Sequence, residues 1–404
     1  MYRTHLDTFE QYIAAGLQEM LGRVQAAENL LEDEDRQQAW HLLSFALSVE
    51  TLWNPTCTLL CALAPKMEQA GFRESWLVYL TEAHQQAEKL ADRFALAEFE
   101  LQIGLLYRLM SRFQDARVWT SASVDHFSAL DFSDGERRAL NELAWQEQLQ
   151  HEYDSSTLHA QQALQLAQDD DLERGMSYRV LGMIANSRRK WQEAQAYHEQ
   201  ALAIFERKQD WRGIAWSLQN LALSLHEQAQ LETAIAKYTQ AAQLLKKEGD
   251  SYHWAIVQMN LGVALFRNGD PSASLLHYTH AATLFYRLSD TLNIAKIETN
   301  LGISYHSLGN YSAAEHAFSS AIDAYAKLGD LAWKLNASAG LGMTYIGAHR
   351  YQDAIVVLES ALGEIDKIND HPYYKVVLNH LHQYLDEAKV GRANDPSYLH
   401  TTPV

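Results

Sequence analysis

Apolar side chains recur along most of this chain at intervals of three and four residues, and this spacing predicts amphipathic helices. The first helix is predicted over residues 4–31, and an acidic cluster at residues 32–35 offers an N-cap to the second. We expect the Asn54-Pro55 pair to end that second helix, because the residue before a proline is disfavoured in helical geometry. Residues 56–92 then predict a degenerate helix pair.

A hexad beginning Asn260-Leu261-Gly262 returns at intervals of forty residues. It reads Asn300-Leu301-Gly302 in the following unit and Asn220-Leu221-Ala222 in the preceding one. Each unit opens with an aspartate suited to a helix N-cap, such as Asp290 or Asp330. A fixed period of this size indicates a stacked repeat in which every unit is a helix-turn-helix.

The glycine of the hexad lies in mid-helix, where it costs about 1 kcal/mol relative to alanine. We therefore expect the glycines at this position to permit close contact between helices. Small residues also recur in the second helix, with a large side chain between them that fills the adjoining space. The hexad glycines are Gly182, Gly262, Gly302 and Gly342, and the large side chains include Tyr238, Tyr278, Phe318 and Leu358.

Five segments are predicted from these patterns. The chain begins with a helical region, followed by the degenerate pair, seven units of about forty residues, a C-terminal capping helix and a disordered tail without periodicity. Their predicted bounds are 1–55, 56–92, 93–370, 371–390 and 391–404.

The combination Leu-Gly-x-x-Tyr, a small residue, an aromatic residue and a further alanine resembles the tetratricopeptide repeat. The forty-residue unit with Asn before Leu-Gly is similar to the repeats of kinesin light chains, spindle-orientation adaptors and bacterial signalling regulators. It differs from the common 34-residue form in length and lacks the usual proline late in the second helix. The units that carry the resemblance best are Leu301-Gly302-x-x-Tyr305 with Ala314, Phe318 and Ala321, and Leu341-Gly342-x-x-Tyr345 with Ala354 and Ala361.

This resemblance implies an all-α fold, a right-handed superhelical solenoid of antiparallel helix pairs. It further implies that the first helices line a concave groove, and that the position before Leu-Gly faces that groove. Three successive units place Asn220, Asn260 and Asn300 there. An amide both donates and accepts hydrogen bonds, so a ladder of them could pair with the backbone of an extended ligand. Alternatively, these amides bond to the neighbouring repeat or face solvent.

Further groove residues are predicted on the same helical stripe, which repeats at intervals of four, seven and eleven residues. The mixture of apolar, polar and basic side chains suits a peptide with hydrophobic anchors and an acidic group. The alternative for each apolar member is a place in the core between helices. The residues on or beside this stripe are Arg138, Met176, Arg179, Met183, Trp216, Leu223, Ile256, Val263, Arg267, Lys296, Ile303, Asn336 and Met343.

The composition narrows the function further. The net charge of −18 argues against nucleic acid as a partner and disfavours an anionic membrane surface. The two cysteines, Cys57 and Cys61, do not form a disulfide framework, and neither a signal peptide nor a transmembrane segment is recognised, so we expect a cytoplasmic protein. No catalytic motif, metal signature or phosphate loop occurs, which predicts a protein that is not an enzyme and uses no cofactor or metal.

We therefore expect a scaffold or adaptor that binds a protein or peptide segment in the groove. An alternative is a ligand-gated regulator of the peptide-receptor type, whose N-terminal helices contact an effector protein. A regulatory phosphatase using Gln25, Gln37 or Gln38 has little support, and homo-oligomer formation stays open. The sequence leaves open whether the N-terminal helices are an effector region or only a cap.

Overall fold

A computed structural model describes residues 2–27, 31–70, 72–167 and 172–395, with side chains from residue 8 onward except residues 69 and 70. Within these ranges the regular secondary structure is helical throughout, with nineteen α-helices and two short 3₁₀ helices. The helices divide into two compact units, one up to His253 and one from Trp254 onward. The all-α arrangement of consecutive helix pairs predicted from the sequence is confirmed in each unit.

Four helices precede the regular array, and their bounds correct one prediction. Helix α2 ends at Ala46, and the Asn54-Pro55 pair lies in the first turn of α3 rather than at the end of a helix. A proline fits in a first helical turn because the backbone N–H that it lacks would have no partner there. The four helices are α1 (Tyr2–Ala26), α2 (Asp33–Ala46), α3 (Trp53–Ala70) and α4 (Arg73–Lys89).

Seven helix pairs follow, the number predicted from the periodicity. In each pair the odd-numbered helix is the first and the even-numbered helix the second. The pairs are α5 (Arg93–Leu109) with α6 (Phe113–Ala129), α7 (Ser133–Leu149) with α8 (Tyr153–Leu166), α9 (Leu172–Ser187) with α10 (Trp191–Lys208), α11 (Trp211–Glu227) with α12 (Leu231–Lys247), α13 (Ser251–Arg267) with α14 (Pro271–Arg287), α15 (Thr291–Ser307) with α16 (Tyr311–Leu328), and α17 (Leu331–Gly347) with α18 (Tyr351–Leu362).

The C-terminal cap is longer than predicted. Helix α19 runs from Tyr374 to Asn394, so residues 391–394 are helical and not part of a tail. Gly391 lies so close to Tyr351 that a Cβ added there would stand 2.3 Å from the ring, and Arg392 Nη1 donates to Gln352 Oε1 at 2.8 Å. These contacts with α18 hold the last turn. The remaining tail, residues 396–404, lies outside the described residues.

The aspartates predicted as N-caps behave differently from one unit to the next. Asp290 accepts a hydrogen bond from the backbone N–H of Asn293, and Asp330 accepts one from Trp333. Asp210 stands at the N-cap of α11 but its side chain makes no capping bond. Asp370 does not cap a helix, because α19 begins only at Tyr374.

The close helix contacts predicted at the glycines are present. A Cβ added to Gly262 would stand 2.5 Å from the Tyr278 ring, and one added to Gly302 would stand 2.9 Å from the Phe318 ring. In each case the ring belongs to the second helix of the same pair, sixteen residues further along the chain. The glycine and the ring therefore form one packing unit, and Ala222 with Tyr238 occupies the same two positions in α11 and α12.

One repeat places a histidine where the four repeats after it hold a large uncharged side chain. His198 is fully buried against Gly182, and Asn186 Nδ2 donates to His198 Nε2 at 3.2 Å. The amide of Asn186 is oriented by Ser224, whose hydroxyl donates to Asn186 Oδ1 at 2.9 Å. Burial, reinforced by the charge of Arg179, lowers the pKa of His198 to about 3, so the folded protein requires a neutral imidazole.

We expect His198 to make the protein less stable in mild acid. Its pKa is about 3 when folded and close to 6.5 when unfolded, so between these values the unfolded chain binds the extra proton. The contribution of neutral His198 to the free energy of unfolding is therefore fully present above about pH 6.5 and decreases as the pH falls. The free energy of unfolding should decrease between pH 7 and pH 5 by about 2 kcal/mol less in His198→Phe than in the wild type. Urea unfolding at each pH measures this difference.

The control is His382→Phe, which changes a solvent-exposed histidine on α19. It should leave the pH dependence of unfolding as in the wild type. Equal pH profiles for the wild type and His198→Phe would contradict a buried neutral histidine.

Candidate functional site

A cavity of about 320 Å³ lies in the first compact unit, between α3 and α4 and the first helices α5, α7 and α9 of three successive pairs. Contacts between α3 and α5, α5 and α7, and α7 and α9 place these helices side by side. The sequence periodicity explains the arrangement, because residues at one repeat phase recur on neighbouring first helices. The lining includes Cys61, Pro65 and Glu68 of α3, Trp76 of α4, Glu98, Gln102 and Leu105 of α5, Arg138, Asn141, Glu142 and Trp145 of α7, and Glu173 and Met176 of α9.

Several residues that line the cavity occupy the positions within the repeat that were predicted to face the groove, but in repeats before the asparagine ladder. The small residue of the hexad is Gly104 in α5 and Ala144 in α7. Gln102 and Glu142 each stand two residues before it, which is the position of the predicted asparagine ladder. Leu105 and Trp145 occupy the phase of Met183, one residue after it. Following the small residue of the hexad upstream to Ala144 and Gly104 would have identified these residues, although the forty-residue spacing slips by two residues before Gly182.

Carboxylates in the cavity wall are held by polar partners from adjacent helices. Arg138 forms a two-pronged bond with Glu98, at 3.1 Å and 2.8 Å. Asn141 Nδ2 donates to Glu173 Oε2 at 3.0 Å, and Ser177 donates to Asn141 Oδ1 at 2.8 Å. These bonds link α5, α7 and α9 across successive pairs, so the wall of the cavity is positioned before any ligand arrives.

Arginines and tryptophans alternate beside the cavity on α5, α7, α9 and α11. The Arg108 guanidinium carbon lies 3.8 Å from the centre of the Trp145 ring, and that of Arg179 lies 4.3 Å from the same ring. Arg179 also lies 4.6 Å from the Trp216 ring, and Arg212 lies 4.5 Å from it. We call these five residues the Arg–Trp row. Contacts of this kind favour a cation over an aromatic face, most strongly where water is excluded.

Two of the three arginines in the row have carboxylate partners. Arg108 Nε donates to Glu142 Oε1 at 2.5 Å and Nη2 to Oε2 at 3.3 Å, and both side chains are buried. Arg212 donates to Asp250 at 2.9 Å and to Glu68 at 3.1 Å. Burial alone would raise the pKa of Glu68, but the positive charges of Arg212, His253 and Arg108 together lower it. The pair of Arg212 with Glu68 is therefore charged.

Arg179 differs from its neighbours because no carboxylate bonds to it. The residue is 3% exposed, and its Nε and Nη2 atoms are buried without a hydrogen-bond partner in the described chain. Burial, with the nearby charges of Arg108 and Arg212, lowers the pKa of Arg179 to about 9. The guanidinium thus stays charged at neutral pH although its surroundings disfavour the charge. A buried donor without an acceptor is costly and points to a partner absent from the chain itself.

The predicted residues of the first unit lie on α7, α9 and α11. Arg179 and Trp216 belong to the Arg–Trp row, whereas Met183 is half-buried and outside the cavity lining. Asn220 is buried, and its amide makes no side-chain hydrogen bond to the rest of the described chain. The alternative that its amide bonds to a neighbouring repeat therefore finds no such hydrogen bond among the described residues.

The predicted residues of the second unit lie on the first helices α13, α15 and α17. Lys296 exposes much of its side chain, yet the surrounding protein lowers the pKa of its ammonium group despite the opposing charges of Asp290 and Asp330. Half-buried side chains on these helices are Asn260, Val263, Asn300, Ile303, Asn336 and Met343, while Arg267 is exposed at the end of α13.

The asparagine ladder is divided between the units, with Asn220 in the first and Asn260 and Asn300 in the second. The amides of Asn260 and Asn300, like that of Asn220, form no side-chain hydrogen bond within the described residues. Their role as ligand contacts stays a prediction.

Among the described residues, no group of three or more His, Cys, Asp or Glu side chains is placed to hold a metal ion. None of the described helices combines the length and the apolar character needed to cross a membrane.

The repeated segments of this chain match a known protein family. A family model described as the tetratricopeptide repeat matches residues 173–247, 254–327 and 293–363. These segments are tetratricopeptide repeats. The resemblance found in the sequence is thereby confirmed, and the matched tetratricopeptide repeats include the helices that carry Arg179, Trp216 and the three ladder asparagines. No curated protein matches this chain.

Solved structures share the fold of these tetratricopeptide repeats at low sequence identity. A Rap protein complexed with competence and sporulation factor is similar with a TM-score of 0.55 and 14% identity, over 84% of this chain and 99% of that one. The apo form of RapI gives a TM-score of 0.50 and 15% identity, over 64% and 94%. A signal transduction ATPase with numerous domains and a tetratricopeptide repeat sensor, from Pyrococcus horikoshii, gives 0.60 and 13%, over 91% and 51%. The chain thus spans about half of that ATPase, and these likenesses establish the fold alone.

Proposed function

We propose that this protein binds a peptide, or an extended segment of another protein, in the cavity of the first unit. The observation that carries this proposal is the unpartnered, buried Arg179 beside a preformed cavity. Tetratricopeptide repeats use the inner surface of their first helices for protein contacts, as the sequence resemblance implies. The cavity is lined by three first helices, α5, α7 and α9, together with α3 and α4 of the N-terminal region.

The size and chemistry of the cavity suit a few side chains of a peptide. A volume of about 320 Å³ lies at the lower end of the range for small-ligand sites. Trp76, Trp145 and Met176 supply apolar surface, and the bonded pairs of Arg138 with Glu98 and Asn141 with Glu173 supply polar atoms at fixed positions. Trp145 and Met176 are partly exposed, and aromatic and methionine side chains of this kind favour contact with a protein partner.

The Rap protein among the similar structures was solved with competence and sporulation factor bound. At 14% identity this likeness establishes only a common fold, so the analogy supports the proposal without deciding the ligand. The proposed function rests on the residues of the cavity itself.

A peptide display experiment on the full chain tests the proposal. Random peptides are selected on the wild-type protein, and the affinity of each is then measured for Ala64→Trp, which places an indole in the cavity from α3. We expect at least a tenfold loss of affinity, about 1.4 kcal/mol, because the added ring occupies the space that the peptide needs.

The matched control is Leu158→Trp, which adds a ring to an exposed position on the second helix α8. It should leave the affinities unchanged. If no selected peptide distinguishes Ala64→Trp from the wild type, the cavity is not a peptide-binding site.

A second candidate function, a ligand-gated regulator, is favoured by the position of α3. This N-terminal helix contributes Cys61, Pro65 and Glu68 to the same cavity wall as α5, α7 and α9. Glu68 also bonds to Arg212, 144 residues further along the chain. A bound peptide would therefore contact the N-terminal helices and the repeats at once, and could shift the equilibrium between two arrangements of them.

Hydrogen exchange with and without a selected peptide separates the two candidates. Gating predicts altered exchange in α1 and α2, which contribute no residue to the cavity lining. Changes confined to the lining helices would favour a scaffold.

A further inference from the structure

Two of the three arginines in the Arg–Trp row are bonded to carboxylates, and the third is not. Arg108 is bonded to Glu142, and Arg212 to Glu68 and Asp250, whereas none of the described carboxylates lies within bonding distance of Arg179. We propose that Arg179 binds a carboxylate of the peptide held in the cavity. This inference rests on the proposed function and names the chemistry of its ligand.

The geometry around Arg179 leaves only the edge of its guanidinium group for a partner. Trp145 from α7 and Trp216 from α11 cover the group, and these helices contact α9 on its two sides. The N–H groups lie in the plane of the guanidinium, where they form a rigid fork. A carboxylate matches this fork with two parallel hydrogen bonds, which a hydroxyl or a carbonyl oxygen cannot provide.

The cavity and Arg179 are immediate neighbours. Trp145 lines the cavity and covers the guanidinium of Arg179, and Met176, one turn earlier on α9, also lines the cavity. A peptide in the cavity therefore lies one indole ring away from the unpartnered N–H groups. We expect the Trp145 ring to move when the carboxylate reaches Arg179, which would change the tryptophan fluorescence.

The carboxylate is favoured over a neutral polar group by the local charge. Burial and the charges of Arg108 and Arg212 act against a charged Arg179, so an anion would relieve both the repulsion and the unpaired donors. The chain has a net charge of −18, and the remaining charged groups of the row are already paired. Arg179 is thus a local site for an anion in a chain that repels anions overall.

The test uses peptides that bind the wild-type protein and lose affinity for Ala64→Trp. Each is resynthesised as a C-terminal amide, and separately with its Asp and Glu replaced by Asn and Gln. The first change removes the terminal carboxylate and the second the side-chain carboxylates, so the two arms identify the source. One of them should lower the affinity for the wild type about 10- to 100-fold, as expected for a charge-assisted pair.

Arg179→Met should lower the affinity for the unmodified peptide by the same factor and should bind the neutral peptide no more weakly than the wild type does. Arg179→Lys, which keeps the charge without the fork, should give an intermediate affinity. Because Arg179 lacks a partner in the free protein, Arg179→Met should not lower the urea midpoint of unfolding. Arg188→Gln, the same charge change in an exposed turn, is the control and should leave affinity unchanged.

Three outcomes would count against the inference. If both modified peptides keep full affinity, Arg179 binds no carboxylate, although peptide binding in the cavity stands. If Arg179→Met weakens the original and neutral peptides equally and lowers the urea midpoint, the residue has a structural role instead. If no selected peptide is sensitive to Ala64→Trp, the proposed function and this inference both fail.

Discussion

Replacing Glu142 by alanine should lower the free energy of unfolding by about 3–5 kcal/mol, because it leaves a buried arginine without its counter-charge. Glu142 accepts two hydrogen bonds from Arg108 and one from Gln146, all within the buried row. Its negative charge also acts favourably on Arg179. Without it, Arg108 and Arg179 would face each other across Trp145 as two unpaired cations. Urea unfolding followed by tryptophan fluorescence measures the loss.

The control for this variant is Glu359→Ala, which removes an ion pair with Lys389 at 3.2 Å between two solvent-exposed side chains. It should cost less than about 1 kcal/mol, since water screens such pairs and competes for them. A double variant, Arg108→Met with Glu142→Leu, should recover most of the loss, because it removes both buried charges together. If Glu142→Ala costs no more than Glu359→Ala, the pair does not support the fold in the way that its burial implies.

The periodic part of this fold could be predicted from the sequence because the same contact recurs in each unit. The glycine of the hexad and the ring sixteen residues later are local partners, and their spacing follows from the length of one helix-turn-helix. The number of helix pairs and the close contacts at Gly262 and Gly302 therefore followed from the repeat. Helix ends were less predictable, because capping at Asp290 and its absence at Asp370 depend on where the neighbouring helix begins.

The cavity was not predicted because it depends on contacts between residues far apart in the sequence. The bond between Glu68 and Arg212 has no trace in the periodicity, since α3 lies before the regular repeats. Arg179 and Trp216 were predicted to face the groove, but a sequence does not show that Arg179 lacks the carboxylate that its neighbours have. Glu142 and Trp145 stand at predicted groove phases, and the degenerate hexad around them concealed this.

In the second unit, Phe318→Ala should lower the free energy of unfolding by about 3–5 kcal/mol, the range observed when a buried aromatic ring is removed. The Phe318 ring fills the space between two glycines, Gly302 on α15 and Gly340 on α17. It therefore packs against the first helix of its own pair and against the first helix of the next. Its loss would open a cavity that joins both interfaces, and urea unfolding of the full chain measures the cost.

Combining this change with Gly302→Ala should give a smaller loss than the two single variants added together. Alone, Gly302→Ala gains about 1 kcal/mol of helix propensity but loses about 1–3 kcal/mol to overpacking, because its Cβ would stand 2.9 Å from three Phe318 ring atoms. With the ring removed, the same methyl group enters empty space and replaces part of the lost contact. One natural repeat already has alanine at both positions. Ala144 of α7 corresponds to Gly302 and Ala160 of α8 corresponds to Phe318, and both are fully buried. We expect a favourable coupling of about 1–2 kcal/mol in the double-mutant cycle, whereas strict additivity would show that the glycine and the ring do not act as one packing unit.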